Sequence, residues 1–376
     1  MKIVFASDSF KGTLTSKKIA ELLVRAAAEI FPGCETVPVV LADGGEGTLD
    51  ALLCAGNGKK IPVTVHDPLM RECVAYYGVL GEREAVLEMA QASGLTLLSP
   101  EERNPFCSSS YGTGELIRAA LESGYRDITV AIGGSATNDG GMGAADALGV
   151  KYFDSDGERL EGRGENLGRV KHIDMSSKMP EIKSARIRVM CDVRNPLCGP
   201  NGATYVYGPQ KGASDDIIKE LEEGMQNYRN VLMTATSIDP DTIEGAGAAG
   251  GMGAMLKLIL GAELRSGIES ILDLVHFDEL IKDADLIITG EGRLDGQSSI
   301  GKAVQGVGLR AAKAGVPCVA LCGCTGEGYE QIFNYGITRV ETLVNGDVTL
   351  EYAMEHAEEV YYQKALEIFS SLDIKV

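Results

Sequence analysis

Five short apolar runs in this chain each stop in a polar loop, most of them rich in glycine: residues 2–6, 36–41, 127–132, 187–191 and 286–289. Consecutive apolar residues over so short a span predict strands buried on both faces. The first loop leads into Ile19, Leu22, Leu23, Ala26 and Ile30, which recur at helical spacing, with Ser16 as the expected N-cap and Pro32-Gly33 as the stop. The second leads into a helix through Leu49, Leu52 and Leu53. Strand, loop, helix, repeated, predicts a parallel sheet covered by helices. In such sheets ligands bind beyond the carboxyl ends of the strands. The feature that restricts the fold therefore also says where the chemistry should be.

Between these segments the pattern changes. Residues 61–65, 73–80 and 85–90 predict antiparallel strands, separated by the turn-like Asp67-Pro68 and Gly81-Glu82-Arg83-Glu84. The α/β pattern returns later, with helices expected at about 215–228, 302–314 and 350–369. The expectation is one parallel α/β domain split along the chain (residues 1–62, 108–149 and 262–376) and a second α/β domain inserted into it (63–107 and 150–261). A length of 376 residues suits two domains.

The chain has 35 Lys plus Arg against 54 Asp plus Glu, a net charge of −19. It has no excess of cations to neutralise nucleic-acid phosphates or an anionic membrane. No apolar stretch approaches the roughly 18 residues of a membrane span, and no secretory h-region precedes the first strand, so a cytoplasmic protein is expected. Nine cysteines at irregular spacing and four scattered histidines (His66, His172, His276, His356) offer no zinc site and no Cys–His nucleophile. Buried structural thiols are expected instead. Glycine is the outlier, 47 of 376 residues against a typical ~7%, and it bunches in loops where backbone must approach a ligand or adopt positive φ.

Each strand-end loop has a chemical and a plain reading. After the first strand, Asp8, Ser9 and Lys11 could hold a metal and an anion, or form a turn into the helix. Asp43 and Glu46 lie among Gly44, Gly45 and Gly47 before Thr48, as metal ligand or base, or as helix caps. Gly133 and Gly134 precede Ser135, Thr137, Asn138 and Asp139, a loop able to present N–H groups and hydroxyls to an anion or simply to cap a helix. Asp192 and Arg194 read as base and anion anchor, or as a surface ion pair worth little. Gly290, Glu291, Gly292, Arg293 and Asp295 lead to Gly296-Gln297-Ser298-Ser299-Ile300-Gly301-Lys302, which fits GxxxxGK at a helix start. Ala303 stands where a phosphate-binding loop has the hydroxyl that holds Mg²⁺, so the match is incomplete. Gly245 to Gly250 fits GxGxxG, but a turn rather than a strand precedes it, and tight helix packing is the expected role. Together, glycine loops, carboxylates and a few cations are what phosphoryl transfer requires: positioning and charge stabilisation.

Six blocks in order, DSFKGTLTS (8–16), ADGGEGTLDAL (42–52), GGSATNDGGMGAADALG (133–149), CDVRNPLCGPNGATYVYGPQKGA (191–213), GAGAAGGMGA (245–254) and TGEGRLDGQSSIGKA (289–303), resemble the bacterial-type glycerate kinases over essentially the whole chain. The resemblance implies ATP-dependent phosphorylation of D-glycerate with Mg²⁺, usually at the 2-position, in glyoxylate, glycolate or sugar-acid catabolism. It also implies a Rossmann-like domain, an inserted second α/β domain and a cleft between them. It brings no fixed list of catalytic residues. On chemical grounds Asp192 or Asp43 is expected near the glycerate hydroxyl, as base or through Mg²⁺, and Lys11 and Lys302 on phosphate. Arg194 or Arg293 suits the glycerate carboxylate. Residues 44–48, 133–139 and 290–298 are expected to line the site, Gln297 and Ser298 among them. The competing readings are an NAD(P)-linked hydroxy-acid oxidoreductase and a sugar-acid binding protein without catalysis. Oligomeric state is not set by the sequence.

Overall fold

The computed structural model describes residues 1–10, 12–41, 48–49, 53, 58–296 and 302–372. Contacts divide the chain into two units, residues 1–43, 50–55 and 267–376 in the first, and 44–49 and 56–266 in the second.

The first unit holds a five-stranded sheet in the order Arg339–Thr342, Cys318–Cys322, Leu286–Gly290, Lys2–Ser7, Glu35–Pro38, parallel throughout. Numbered along the chain, the order across the sheet is 2-1-3-4-5. This is the other common doubly wound arrangement, not the 3-2-1-4-5-6 of the Rossmann fold. The expected parallel sheet is there. Its three central strands are apolar at consecutive positions because both faces are covered. Ile3, Phe5, Leu286, Ile288, Val319 and Leu321 pack with Ile19, Leu22, Leu23 and Ala26 of the Ser16–Ile30 helix and with Tyr361, Ala365, Ile368 and Phe369 of the Ala357–Ser370 helix. Val4, Ala6, Ile287 and Ala320, the alternating positions, are buried as well. Truncating a buried leucine such as Leu23 to alanine would cost about 2–5 kcal/mol. The helix N-cap is Thr15, whose side chain accepts the Lys18 N–H, and not the expected Ser16, which is the first helical residue.

The second unit is built on a six-stranded sheet in the order Glu263–Arg265, Arg186–Met190, Asp127–Ala131, Glu84–Glu88, Glu72–Leu80, Lys59–His66. The first four strands are parallel and the last two pairings antiparallel. Asp127–Ala131 hydrogen-bonds to both Glu84–Glu88 and Arg186–Met190. Residues around it thus pair into this sheet, whereas the sequence reading put 108–149 with the N-terminal strand. A buried parallel strand has the same apolar pattern whichever sheet it joins, so the pattern could not choose. Glu88, Ala131, Met190 and Arg265 stand in one row of the register, so the loops after four strands leave from one edge. The core below includes Leu87, Val130, Val189, Tyr152 and Tyr228. Among the described residues no helix is long and apolar enough to cross a membrane.

Candidate active site

In a 2-1-3-4-5 sheet the strand order reverses between the first and third strands, and ligands bind outside their carboxyl ends. Here those strands are Lys2–Ser7 and Leu286–Gly290, with Ser7 opposite Gly290. The Asp8 N–H donates to the Gly290 carbonyl at 2.9 Å, which extends the pairing one step. The Asp8 carboxylate accepts the Ser9 N–H at 2.6 Å. Across from them Glu291 is 7% exposed, and its Oε1 has no hydrogen-bond partner. Burial pushes this carboxyl up to about 7, Lys302 opposes the rise, and the Asp8 and Asp295 carboxylates add to it. Gly290 lets the strands close, because a Cβ there would stand 1.9 Å from the Leu321 carbonyl oxygen.

Past Gly290 the chain forms a second short parallel pairing, Arg293–Leu294 with Cys324–Thr325. Arg293 Nε lies 3.4 Å from the Asp295 carboxylate. The Gly292 carbonyl accepts the Cys324 N–H. Lys302, exposed, is the N-cap residue of the Ala303–Ala314 helix. The structure thus groups Asp8, Glu291, Asp295, Arg293 and Lys302 at one sheet edge. Lys11, Asp43, Gly44, Gly45, Glu46, Gly47, Gln297 and Ser298 lie outside the described residues.

In the second unit Thr48 is buried, and the adjacent Leu49 N–H donates to the buried Glu88 carboxylate at 2.7 Å. After Asp127–Ala131, Gly134 is exposed with φ of +72°, and Ser135, Thr137, Asn138 and Asp139 turn inward. The Asp139 carboxylate accepts from the Ser110 N–H and hydroxyl (2.8 and 2.7 Å) and from the Gly141 and Gly143 N–H groups (3.0 and 3.2 Å). Burial pushes its carboxyl up, and these hydrogen bonds oppose the shift. Asp139 thus ties the loop together, as in the capping alternative of the two sequence readings. Asn138 Nδ2 donates to Thr204 Oγ1 at 3.0 Å, while Asn138 Oδ1 and Thr137 Oγ1 are buried with no partner.

Lys211 is the residue that sequence reasoning missed. It is 1% exposed, and its ammonium donates to Ser135 Oγ at 2.8 Å and to the Thr137 carbonyl at 2.6 Å. Burial pushes it down to about 7, with Asp139 opposing. In sequence it sits in Gly208-Pro209-Gln210-Lys211-Gly212 and reads as an ordinary surface-turn lysine. Its presence in the GPQKGA block was the one signal that could have found it.

Asp192 and Arg194 follow Arg186–Met190 and are exposed. Ser266 Oγ donates to Asp192 at 3.1 Å, from the neighbouring strand end. Arg194 lies 3.8 Å from Glu244, an exposed pair. The Cys191 thiol donates to the Val193 carbonyl, and burial pushes it up to about 11, which keeps it from acting as a nucleophile at neutral pH. Gly250, in the GxGxxG stretch, has φ of +69°, and a Cβ there would lie 2.1 Å from the Thr137 carbonyl oxygen. Its own carbonyl accepts the Gly140 N–H. These glycines pack a helix start against the 137–140 loop, and no strand precedes them, in keeping with the packing role expected for this stretch. Among the described residues no three His, Cys, Asp or Glu side chains converge as a metal cage.

The family model described as Glycerate kinase family matches residues 3–373. The chain is 43% identical to "Glycerate kinase" of Halalkalibacterium halodurans over 97% of both chains. It is 42% identical to "Glycerate 2-kinase" of Escherichia coli, over 100% of this chain and 98% of the relative. A glycerate kinase 2 crystal structure from Salmonella typhimurium LT2 superposes with a TM-score of 0.87 at 39% identity, covering 99% of this chain and 98% of that one. With a mixed α/β fold, parallel sheets and near full-length matches of this kind, the chain belongs to the glycerate kinase family.

Proposed function

We propose that this protein transfers the terminal phosphoryl group of ATP to the 2-hydroxyl of D-glycerate in the cytoplasm, serving glyoxylate, glycolate or sugar-acid catabolism. The carrying observation is the Asp8, Glu291 and Lys302 group at the reversal point of the parallel sheet, in a chain of this family. The name of the Escherichia coli relative supports the 2-position.

Phosphoryl transfer asks the protein mainly for positioning and for charge at the migrating group. Lys302, at the start of a helix whose N-terminus carries partial positive charge, takes phosphate oxygens, and Lys11 supplies a second cation. The donors fit Mg²⁺, which commonly takes one or two carboxylates and completes its shell with phosphate oxygens and water. Glu291, with a buried oxygen lacking a protein partner, and Asp8 are the residues that would hold it. When bound, the ion neutralises charge between phosphates. Asp192 or Asp43 accepts the hydroxyl proton, or contributes to holding Mg²⁺. Arg194 or Arg293 binds the glycerate carboxylate with its planar guanidinium.

The test is ADP formation with Mg²⁺, ATP and D-glycerate, with the product resolved by phosphorus NMR. Glycerate-dependent ADP and a 2-phosphoglycerate resonance are expected. A 3-phosphoglycerate resonance would overturn the position, and binding without turnover would overturn the kinase. Asp192→Asn and Asp43→Asn separate the two candidate bases. Losing the base should lower kcat by about 10²–10⁴-fold, and full turnover in both variants would remove both residues from that role.

A further inference from the structure

We infer that Lys211 is a positioning residue: its buried ammonium fixes the Ser135 hydroxyl so that the hydrogen turns away from it, toward an anionic oxygen of a bound substrate. The inference rests on the reading that the 133–139 loop contacts substrate. A serine hydroxyl has one hydrogen to donate and two lone pairs to accept with, and a lysine ammonium only donates. While Lys211 carries its proton, with Nζ 2.8 Å from Ser135 Oγ, that hydrogen cannot point at Lys211. Ser135 donates to no other protein group among the described residues. Lys211 is held by its second bond to the Thr137 carbonyl, 2.6 Å away, and at 1% exposure it touches no ligand itself.

The surroundings favour this over simple space filling. An apolar side chain would fill the same volume without the cost of burying a charge. Ser135, 7% exposed, lies beside half-buried Gly133 and exposed Gly134, so the loop reaches solvent next to the serine, and the lysine itself is 1% exposed. The ligand chemistry is an anionic oxygen, either a glycerate carboxylate or an ATP phosphate.

The experiment is steady-state kinetics on the full chain, wild type, Lys211→Met, Ser135→Ala and the double variant, below pH 7, where Lys211 carries its proton, with ATP and glycerate varied in turn. Each single variant should raise the KM of the same substrate about tenfold, the size expected for one hydrogen bond to a charged group. The double variant should fall within about twofold of Lys211→Met. A KM rise for glycerate identifies the carboxylate, and a rise for ATP identifies a phosphate. Unchanged kinetics in Ser135→Ala would overturn the reading of the loop. A raised KM in Ser135→Ala with fully additive effects in the double variant would leave the loop reading standing and overturn the role of Lys211. Lys211→Gln, whose amide can still donate to Thr137, should recover part of the loss. Should neither lysine variant fold, the Lys211 Nζ resonance of isotope-labelled wild type gives the answer. It should shift on saturation with that substrate and stay still in Ser135→Ala, and no shift in wild type would overturn the inference.

Discussion

Burial moves two ionisable side chains in this protein toward neutrality from opposite sides. Glu291 rises to about 7 and Lys211 falls to about 7. For Lys211 the consequence for stability has a definite sign. Its folded value lies below the ordinary 10.5, so between about 7 and 10.5 the unfolded chain binds more protons, and stability rises with pH. The contribution is complete above 10.5 and is lost as pH falls through 7. Scanning fluorimetry of wild type and Lys211→Met should therefore show wild type gaining on the variant from pH 7 to pH 10. A difference that stayed constant would mean that Lys211 keeps its proton in the folded protein as firmly as in the unfolded chain. Residue identities near the site were legible in part. Glu291 and Lys302 were named from strand ends and glycines, and the structure places them within electrostatic reach of each other. The inward turn of Asp139 and the burial of Lys211 were not legible. Both are set by Ser110, Ser135 and Thr137, which approach from sequence positions 29 to 76 residues away.

Helices and strands were legible where one face is apolar or both are, and less so where the backbone alone decides. The first helix ends at Ile30, two residues before its expected stop at Pro32. The helix expected to close at Tyr228 runs on to Thr236, because Leu232 continues the buried stripe and the backbone turns left-handed only at Ser237. The single helix expected over 350–369 is two, Leu350–Glu355 and Ala357–Ser370, parted at His356, whose ψ of 34° leaves the helical region. Apolar spacing carries no mark of such a break. Glycines marked close approaches better than they marked ligands. Gly250→Ala should destabilise the chain by about 1–3 kcal/mol from backbone strain alone, and more from the contact with the Thr137 carbonyl. Urea unfolding measures it, and a change below about 0.5 kcal/mol would mean that the 137–140 loop yields easily.

At the scale of the whole molecule, charge and connectivity dominate. A net charge of −19 favours solubility and opposes compaction through self-repulsion. Raising sodium chloride from ~10 to ~150 mM shortens the screening length from ~30 to ~8 Å, and the melting temperature should rise. A fall would show that specific ion pairs, such as Arg310 with Glu269 and Asp273, outweigh the net field. Connectivity has a temporal side. The strand Lys2–Ser7 can pair early with Glu35–Pro38, but its other edge finds a partner only when residues 286–290 exist. At the usual ~5–20 residues per second of synthesis, the roughly 284 residues from Lys2 to Leu286 take about 14–57 s, and that edge waits on the ribosome while the residues of the other sheet emerge. That half-covered pair is thus a client for whatever shields nascent chains, and a chain that stopped short of residue 286 would leave Lys2–Ser7 and Glu35–Pro38 without the rest of the first sheet.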